Sequence, residues 1–192
     1  ELLCPDRRNH TLSLYFAHAI SRLDYALMKG LALLTALLAI ALGPQVLLFI
    51  GELLAATSAP DYLRDNAEMI PRIVLSAGLV SLYLAMLALA VASLTARRIF
   101  AAGGIIALFL ISTATANVIW ETFQTDAARA AVLIAFGDLP FGAVSWIFDV
   151  PYDPDSLVAR TDLPGALLFL ATLAWSAFGM LVVVWRYLRW EP

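Results

Sequence analysis

The sequence predicts an all-α integral membrane protein with four full transmembrane helices, a re-entrant or interfacial helical segment, and a short cytoplasmic helix in front of them. Three observations lead to this fold class. Hydrophobic residues make up 62% of the 192 residues and charged residues only 14%, whereas soluble domains are about half apolar and about a quarter charged. Four apolar stretches are long enough to cross a hydrocarbon core of about 30 Å. Lysine and arginine are concentrated on one side of these stretches.

The chain opens with a polar lead-in, residues 1–27, ahead of a transmembrane domain that covers residues 28–192. From Leu12 onward the apolar residues of the lead-in recur at the three- and four-residue spacing of an amphipathic helix. Ser21 and Asp24 have the spacing of a helix capping box. We therefore expect one short helix to end just before Ser21 and a second helix to start there. Because the chain begins in the middle of a motif, we also expect it to be incomplete at its N-terminus.

The apolar stretches set the expected positions of the membrane helices. The four predicted spans cover approximately residues 28–50, 73–94, 99–119 and 164–185. A further apolar stretch, residues 127–150, is interrupted by Gly-Asp-Leu-Pro at positions 137–140. Since glycine and proline break helices, this stretch is predicted to be a re-entrant or interfacial pair of short helices rather than a crossing. Asp138, within the break, is expected at a turn on the outer surface beside Pro140, and the alternative is a buried, functional carboxylate.

The distribution of charge predicts the orientation in the membrane. With the N-terminal end in the cytoplasm, 8 of the 12 basic residues and only 4 of the 15 acidic residues lie on the inner side. The inner basic residues are Arg7, Arg8, Arg22, Lys29, Arg97, Arg98, Arg186 and Arg189. An excess of lysine and arginine marks the cytoplasmic side, so the sequence predicts that the N-terminal end faces inward. A crossing by residues 127–150 would move Arg186 and Arg189 outside, which also favours a re-entrant segment.

The third predicted span contains a group of four polar residues. Ser112, Thr113, Thr115 and Asn117 lie in its second half. They are candidates for lining a translocation path, and the alternative is hydrogen bonding between helices, which contributes about 0.6 kcal/mol per contact in membranes. Near the start of the same span, Gly103 lies four residues before Ala107. This pair of small residues predicts close helix packing or a dimer interface.

The sequence argues against several classes of function. The spans carry almost no ionisable side chains away from their ends, whereas a membrane enzyme needs such groups inside the bilayer. A P-loop for ATP is absent. Cys4 is a single cysteine, and His10 and His18 are expected to face solvent. There is no basic patch typical of nucleic-acid binding. We therefore expect a protein that is not an enzyme and has no metal, cofactor or nucleic-acid partner of its own.

The lead-in resembles a cytoplasmic motif of ABC-2 type transporter permeases. The elements that match in order and approximate spacing are Arg7-Arg8-Asn9, Thr11-Leu12, Ile20-Ser21-Arg22 and Lys29-Gly30. Two positions differ, because His10 stands where the family has glycine and Ala19 where it has proline. In the family this motif forms a coupling helix between the second and third of six spans. The resemblance therefore implies that two N-terminal spans precede the present chain.

The resemblance implies a function and a set of partners. The chain would be the permease subunit of a bacterial transporter in the inner (plasma) membrane, bound to a separate ATPase subunit that hydrolyses ATP and paired with a second permease half, as a homodimer. The coupling residues implied by the motif and its flanks are Arg7, Arg8, Thr11, Leu12, Tyr15, Phe16, Ser21 and Arg22. Neither the substrate nor the direction of transport is implied. The alternative function is a membrane scaffold or assembly factor whose lead-in binds another cytoplasmic protein.

Overall fold

A computed structural model describes residues 22–95 and 97–188, which are almost entirely helical. The predicted coupling helix lies outside the described residues. So do seven of the eight predicted coupling residues, namely Arg7, Arg8, Thr11, Leu12, Tyr15, Phe16 and Ser21. The eighth, Arg22, is the first residue of helix α1, and the description of that residue covers its backbone alone.

The described chain forms eight α-helices and one 3-10 helix. They are α1 (Arg22–Ala55), α2 (Ala59–Asp65), α3 (Met69–Leu94), α4 (Arg98–Phe123), α5 (Asp126–Arg129), a 3-10 helix (Ala130–Ile134), α6 (Leu139–Phe148), α7 (Leu157–Thr161) and α8 (Gly165–Leu188). Four of them are long and apolar enough to cross a membrane, over Leu27–Ala55, Met69–Leu94, Ile99–Phe123 and Gly165–Arg186. The chain is therefore an all-α protein of the multi-pass membrane type.

The helix ends follow from local sequence signals. The side chains of Thr125 and Ser156 each accept a hydrogen bond from the backbone N–H three residues later, at 3.2 Å, and so cap α5 and α7. Pro140 lies in the first turn of α6, where the missing N–H costs nothing. Pro44 lies inside α1, which continues through it; apolar spans tolerate such a proline.

Helix α3 is the centre of the bundle. It contacts α1, α4, α6 and α8. Within the most apolar 18 residues of each span, 56% are buried in α3, against 28% in α8, 11% in α4 and none in α1. The other three spans therefore pack around α3, and most of their own surface is exposed in the described part of the chain.

Small side chains bring two of the spans close to α3. A Cβ atom added to Gly179 of α8 would lie 2.8 Å from the carbonyl oxygen of Met86, and one added to Gly30 of α1 would lie 3.2 Å from Leu89. The hydroxyl of Ser76 also donates a hydrogen bond of 3.2 Å to the side-chain oxygen of Gln45 in α1. Close approach through small residues and occasional polar bonds is the usual way in which membrane helices associate.

A cluster of buried residues joins the segment between α4 and α8 to the spans themselves. It joins the 3-10 helix, α6 and α7 to α3, α4 and α8. Its fully buried members include Val132, Ala135, Leu139, Ala143, Leu157 and Leu168. Residues 126–148 are thus part of the core of the protein.

Candidate functional site: a re-entrant segment held by three spans

Residues 126–148 consist of two short helical halves that meet at a sharp bend. The first half runs from Asp126 to Ile134 and the second from Leu139 to Phe148, with an angle of 97° between them. The bend occupies residues 135–138, which overlap the predicted break at 137–140. By length and composition such a bent pair is either a broken span or a re-entrant loop. We use the name re-entrant segment, after the predicted path, for residues 126–148 and call residues 133–137 its tip.

The contacts of the re-entrant segment place both of its ends at one end of the bundle. It starts three residues after α4 ends at Phe123. At its other end, the guanidinium of Arg72, near the start of α3, donates a hydrogen bond of 2.9 Å to the carbonyl of Phe148. Trp146 packs directly against Gly165, the first residue of α8. The segment therefore enters and leaves beside the end of α4 and the starts of α3 and α8.

Four side chains from three spans hydrogen-bond to the backbone of the tip. The hydroxyl of Tyr83 in α3 donates to the carbonyl of Phe136 at 3.0 Å, and the indole N–H of Trp175 in α8 donates to the carbonyl of Leu133 at 2.8 Å. From α4, the hydroxyls of Ser112 and Thr113 accept bonds of 3.3 Å from the N–H groups of Phe136 and Gly137, respectively. We call Tyr83, Ser112, Thr113 and Trp175 the polar clamp.

The polar clamp lies far from the end at which the segment enters. Tyr83 is fourteen residues after Met69, or about 21 Å of helix. Trp175 is ten residues after Gly165, and Thr113 is ten residues before Phe123, or about 15 Å in each case. Since α3 and α4 have 26 residues and α8 has 24, these distances put the tip roughly halfway along the three spans.

The clamp provides hydrogen-bond partners for the non-helical backbone of the tip. Non-helical backbone among membrane spans is tolerated where protein surrounds it and satisfies its polar groups. An unpaired amide in apolar surroundings costs about 2–7 kcal/mol, depending on the reference state. The clamp supplies two donors to carbonyls and two acceptors to N–H groups, so each bond removes part of this penalty.

Tight packing around the tip adds to the hydrogen bonds. Tyr83 is fully buried in a cluster with Leu87 and Phe136. The rings of Phe136 and Trp175 meet edge to face, with their centroids 4.7 Å apart, a favourable geometry for aromatic pairs. A Cβ atom at Gly137 would lie 2.8 Å from the hydroxyl oxygen of Thr113, so the bond between these two residues depends on the glycine.

The four predicted path-lining residues occupy different environments. Ser112 and Thr113 bind the tip, as described above. The side-chain amide of Asn117 donates to the carbonyl of Thr113 at 2.9 Å. Thr115 is exposed on the surface of α4. Three of the four therefore lie on the side of α4 that faces the re-entrant segment and the loop after it.

A group of polar side chains lies closer to the C-terminal end of α4. The guanidinium of Arg160, at the end of α7, donates to the side-chain oxygen of Asn117 at 2.8 Å and lies 3.6 Å from the carboxylate of Glu121. Asp138 is half-buried directly after the tip, because the break it occupies is folded into the core and does not form the surface turn expected from the sequence.

Metal ligands are not grouped in the described part of the chain. Among residues 22–95 and 97–188, no three histidine, cysteine, aspartate or glutamate side chains lie close enough together to hold a metal ion. His10, His18 and Cys4 lie outside these ranges.

The sequence marked only two of the four clamp residues as candidates for function. Ser112 and Thr113 were candidates because they are polar residues in a span. Tyr83 and Trp175 gave no such signal, since aromatic residues are ordinary constituents of apolar spans. The break at residues 137–140 was the available clue, because a broken helix inside a membrane requires donors from its neighbours.

Comparison with known proteins finds no matching family model, curated protein or solved structure.

Proposed function

We propose that this chain is the transmembrane permease subunit of an ATP-binding cassette transporter of the ABC-2 type. It moves a substrate across a bacterial inner membrane with energy from ATP hydrolysed by a separate subunit. The observation that carries the proposal is the bent pair of short helices whose tip the polar clamp holds roughly halfway along the spans. Broken helices whose non-helical backbone lies among the spans are typical of transporters.

The exposure of the outer spans supports a second permease half. None of the most apolar window of α1 and only 11% of that of α4 is buried within the described fold. A Cβ atom added to Gly103 of α4 would meet nothing within 4 Å, so this small residue leaves its helix surface open to a partner. In the proposed homodimer the α4 helices face each other, and the two halves together enclose the path.

A continuous set of contacts connects the lead-in to the clamp. Helix α1 runs without a break from Arg22 to Ala55. It packs on α3 at Gly30 and at Gln45, and α3 carries Tyr83, which holds the tip. In the proposed mechanism the ATPase moves the coupling helix, α1 tilts with it, and α3 transmits the motion to the re-entrant segment.

The coupling step is tested by charge substitutions in the lead-in. Leu12→Glu and Phe16→Glu are expected to abolish co-purification of the proposed ATPase subunit, because they put a carboxylate into an apolar docking face. Leu63→Glu in α2 is the matched control, since Leu63 is an exposed leucine between the first two spans. All three variants should insert into the membrane as the wild type does. Unchanged ATPase recovery with Leu12→Glu and Phe16→Glu would contradict the proposed coupling.

A non-transport scaffold remains the second candidate. The observation that favours it is that Ser112 and Thr113 are occupied in holding the tip, as structural residues would be. Reconstitution of the chain with its ATPase in vesicles separates the two functions. A transporter gives ATP-dependent movement of a substrate and substrate-stimulated ATPase activity, whereas a scaffold gives neither.

A further inference from the structure

An apolar cleft lies between α1, α3 and α8, away from the re-entrant segment. Its volume is about 450 Å³, within the range of small-molecule binding sites. Its walls include Leu27, Leu31 and Leu34 of α1, Met86 of α3, and Met180 and Val184 of α8. Almost all of the surface that these residues present to the cleft is carbon or sulfur.

The cleft has a defined position in the bundle. It is formed by the beginning of α1 and by the last turns of α3 and α8, so it opens at the end opposite to the entry of the re-entrant segment. Gly30 lines it and is buried against Leu89. Its missing side chain lets α1 and α3 touch there while their neighbouring side chains form the cleft walls.

Basic residues lie at the same end of the bundle. Lys29 lies between the cleft residues Met28 and Gly30 in the sequence of α1, and Arg186 lies two residues after the cleft residue Val184, in the last turn of α8. Both side chains are partly exposed. A carbon-lined cleft whose wall residues neighbour two basic residues in the sequence matches a ligand with a hydrocarbon chain and an anionic head.

We propose that this cleft binds one acyl chain of an anionic phospholipid, with the phosphate headgroup beside Lys29 and Arg186. A polar ligand would leave its hydrogen-bonding groups unpaired in the cleft. A hydrocarbon chain has no hydrogen-bonding groups that would be left unpaired there, and lipid tails and the cleft walls are equally apolar. Selectivity for this lipid over its neighbours therefore comes from the headgroup, through attraction to basic side chains at the membrane surface. The site is independent of the proposed transport function.

Photo-labelling in vesicles tests the acyl-chain site. The full chain is reconstituted in phosphatidylcholine vesicles that contain phosphatidylglycerol with a photoactivatable acyl chain, and the labelled residues are identified by mass spectrometry. We expect labelling to concentrate on residues 27–34 and 180–184. Leu34→Trp and, independently, Met180→Phe fill the cleft and should each lower this labelling about fivefold or more. Leu47→Trp is the matched control, because Leu47 is an exposed leucine of the same helix outside the cleft.

A second labelling experiment tests the contact with the headgroup. Wild-type protein should label more strongly with the phosphatidylglycerol probe than with a phosphatidylcholine probe that carries the same photoactivatable chain. Arg186→Gln should reduce this preference about fivefold, the effect expected for one basic residue at a membrane surface. Arg64→Gln, at an exposed arginine of α2, should leave it unchanged.

Two results would overturn the proposal. One is labelling that is spread evenly over the lipid-exposed residues of α1 and is insensitive to both cleft-filling variants, each shown by circular dichroism to keep its helical content. The other is equal labelling by the anionic and zwitterionic probes.

Discussion

At the scale of single residues, the clamp combines polar groups that lie far apart in the sequence. Tyr83 bonds to a residue 53 positions away and Trp175 to one 42 positions away. Local spacing carries no information about such pairs. Ser112 and Thr113 could be selected from the sequence because their polarity is unusual in a span, but their partners could not. Gly137 likewise belonged to a predicted break, and its contact with Thr113 became visible only in three dimensions.

The Tyr83 hydroxyl provides the simplest test at this scale. Tyr83→Phe keeps the buried ring and removes only the donor to the Phe136 carbonyl. We expect the free energy of unfolding to fall by about 1 kcal/mol, within the range measured for hydrogen bonds between membrane helices. The measurement is equilibrium unfolding in mixed micelles with increasing dodecyl sulfate, followed by circular dichroism.

Tyr62→Phe is the control for this variant. Its hydroxyl donates a bond of 2.6 Å to Glu52, but the bond is exposed, so its loss should lower the free energy of unfolding less than the loss of the Tyr83 hydroxyl does. Equal stability of the two variants would show that the Tyr83 bond does not hold the tip.

At the scale of helices, hydropathy predicted where the spans lie but not how far each helix extends. Helix α1 begins at Arg22 and continues to Ala55, beyond both ends of the predicted stretch 28–50, because its flanks are rich in leucine and alanine, which are good helix formers. The break in the re-entrant segment was readable from Gly137 and Pro140, since these residue types interrupt helices in any surroundings. The sequence could not predict that the broken pair packs into the core, because an apolar helix facing lipid and an apolar buried helix have the same composition.

The crossing of α8 and α3 gives a prediction at this scale. Gly179→Ala places a Cβ atom 2.8 Å from the Met86 carbonyl oxygen. Because that oxygen belongs to backbone and cannot rotate away, the helices must separate, at a cost of about 1–3 kcal/mol. The same unfolding measurement in mixed micelles detects this loss.

Gly78→Ala is the matched substitution on α3. A Cβ atom there meets nothing within 4 Å, and alanine favours a helix over glycine by up to about 1 kcal/mol. Gly78→Ala should therefore be as stable as the wild type or more so. A Gly179→Ala protein no less stable than Gly78→Ala would contradict the close crossing.

At the scale of the whole molecule, the sequence indicated four spans but not which of them is central. Each span is apolar on every side, so its hydrophobic pattern does not mark the face that is buried. Lipid tails are as apolar as a protein core, which removes the contrast that identifies the buried face of a soluble helix. The central position of α3 is decided instead by contacts such as those at Gly30, Ser76 and Gly179.

The path of residues 126–148 is the feature on which the proposed transport mechanism depends. Single cysteines are introduced by Cys4→Ser combined with Asp65→Cys, Arg97→Cys, Asp126→Cys or Asp155→Cys, all at exposed positions between helices or at a helix end. Each protein is labelled with a membrane-impermeant maleimide in vesicles of known orientation. We expect positions 65, 126 and 155 to be labelled from one side and position 97 from the other. Labelling of position 155 from the side opposite to position 126 would mean that the segment crosses the membrane and would contradict the re-entrant path.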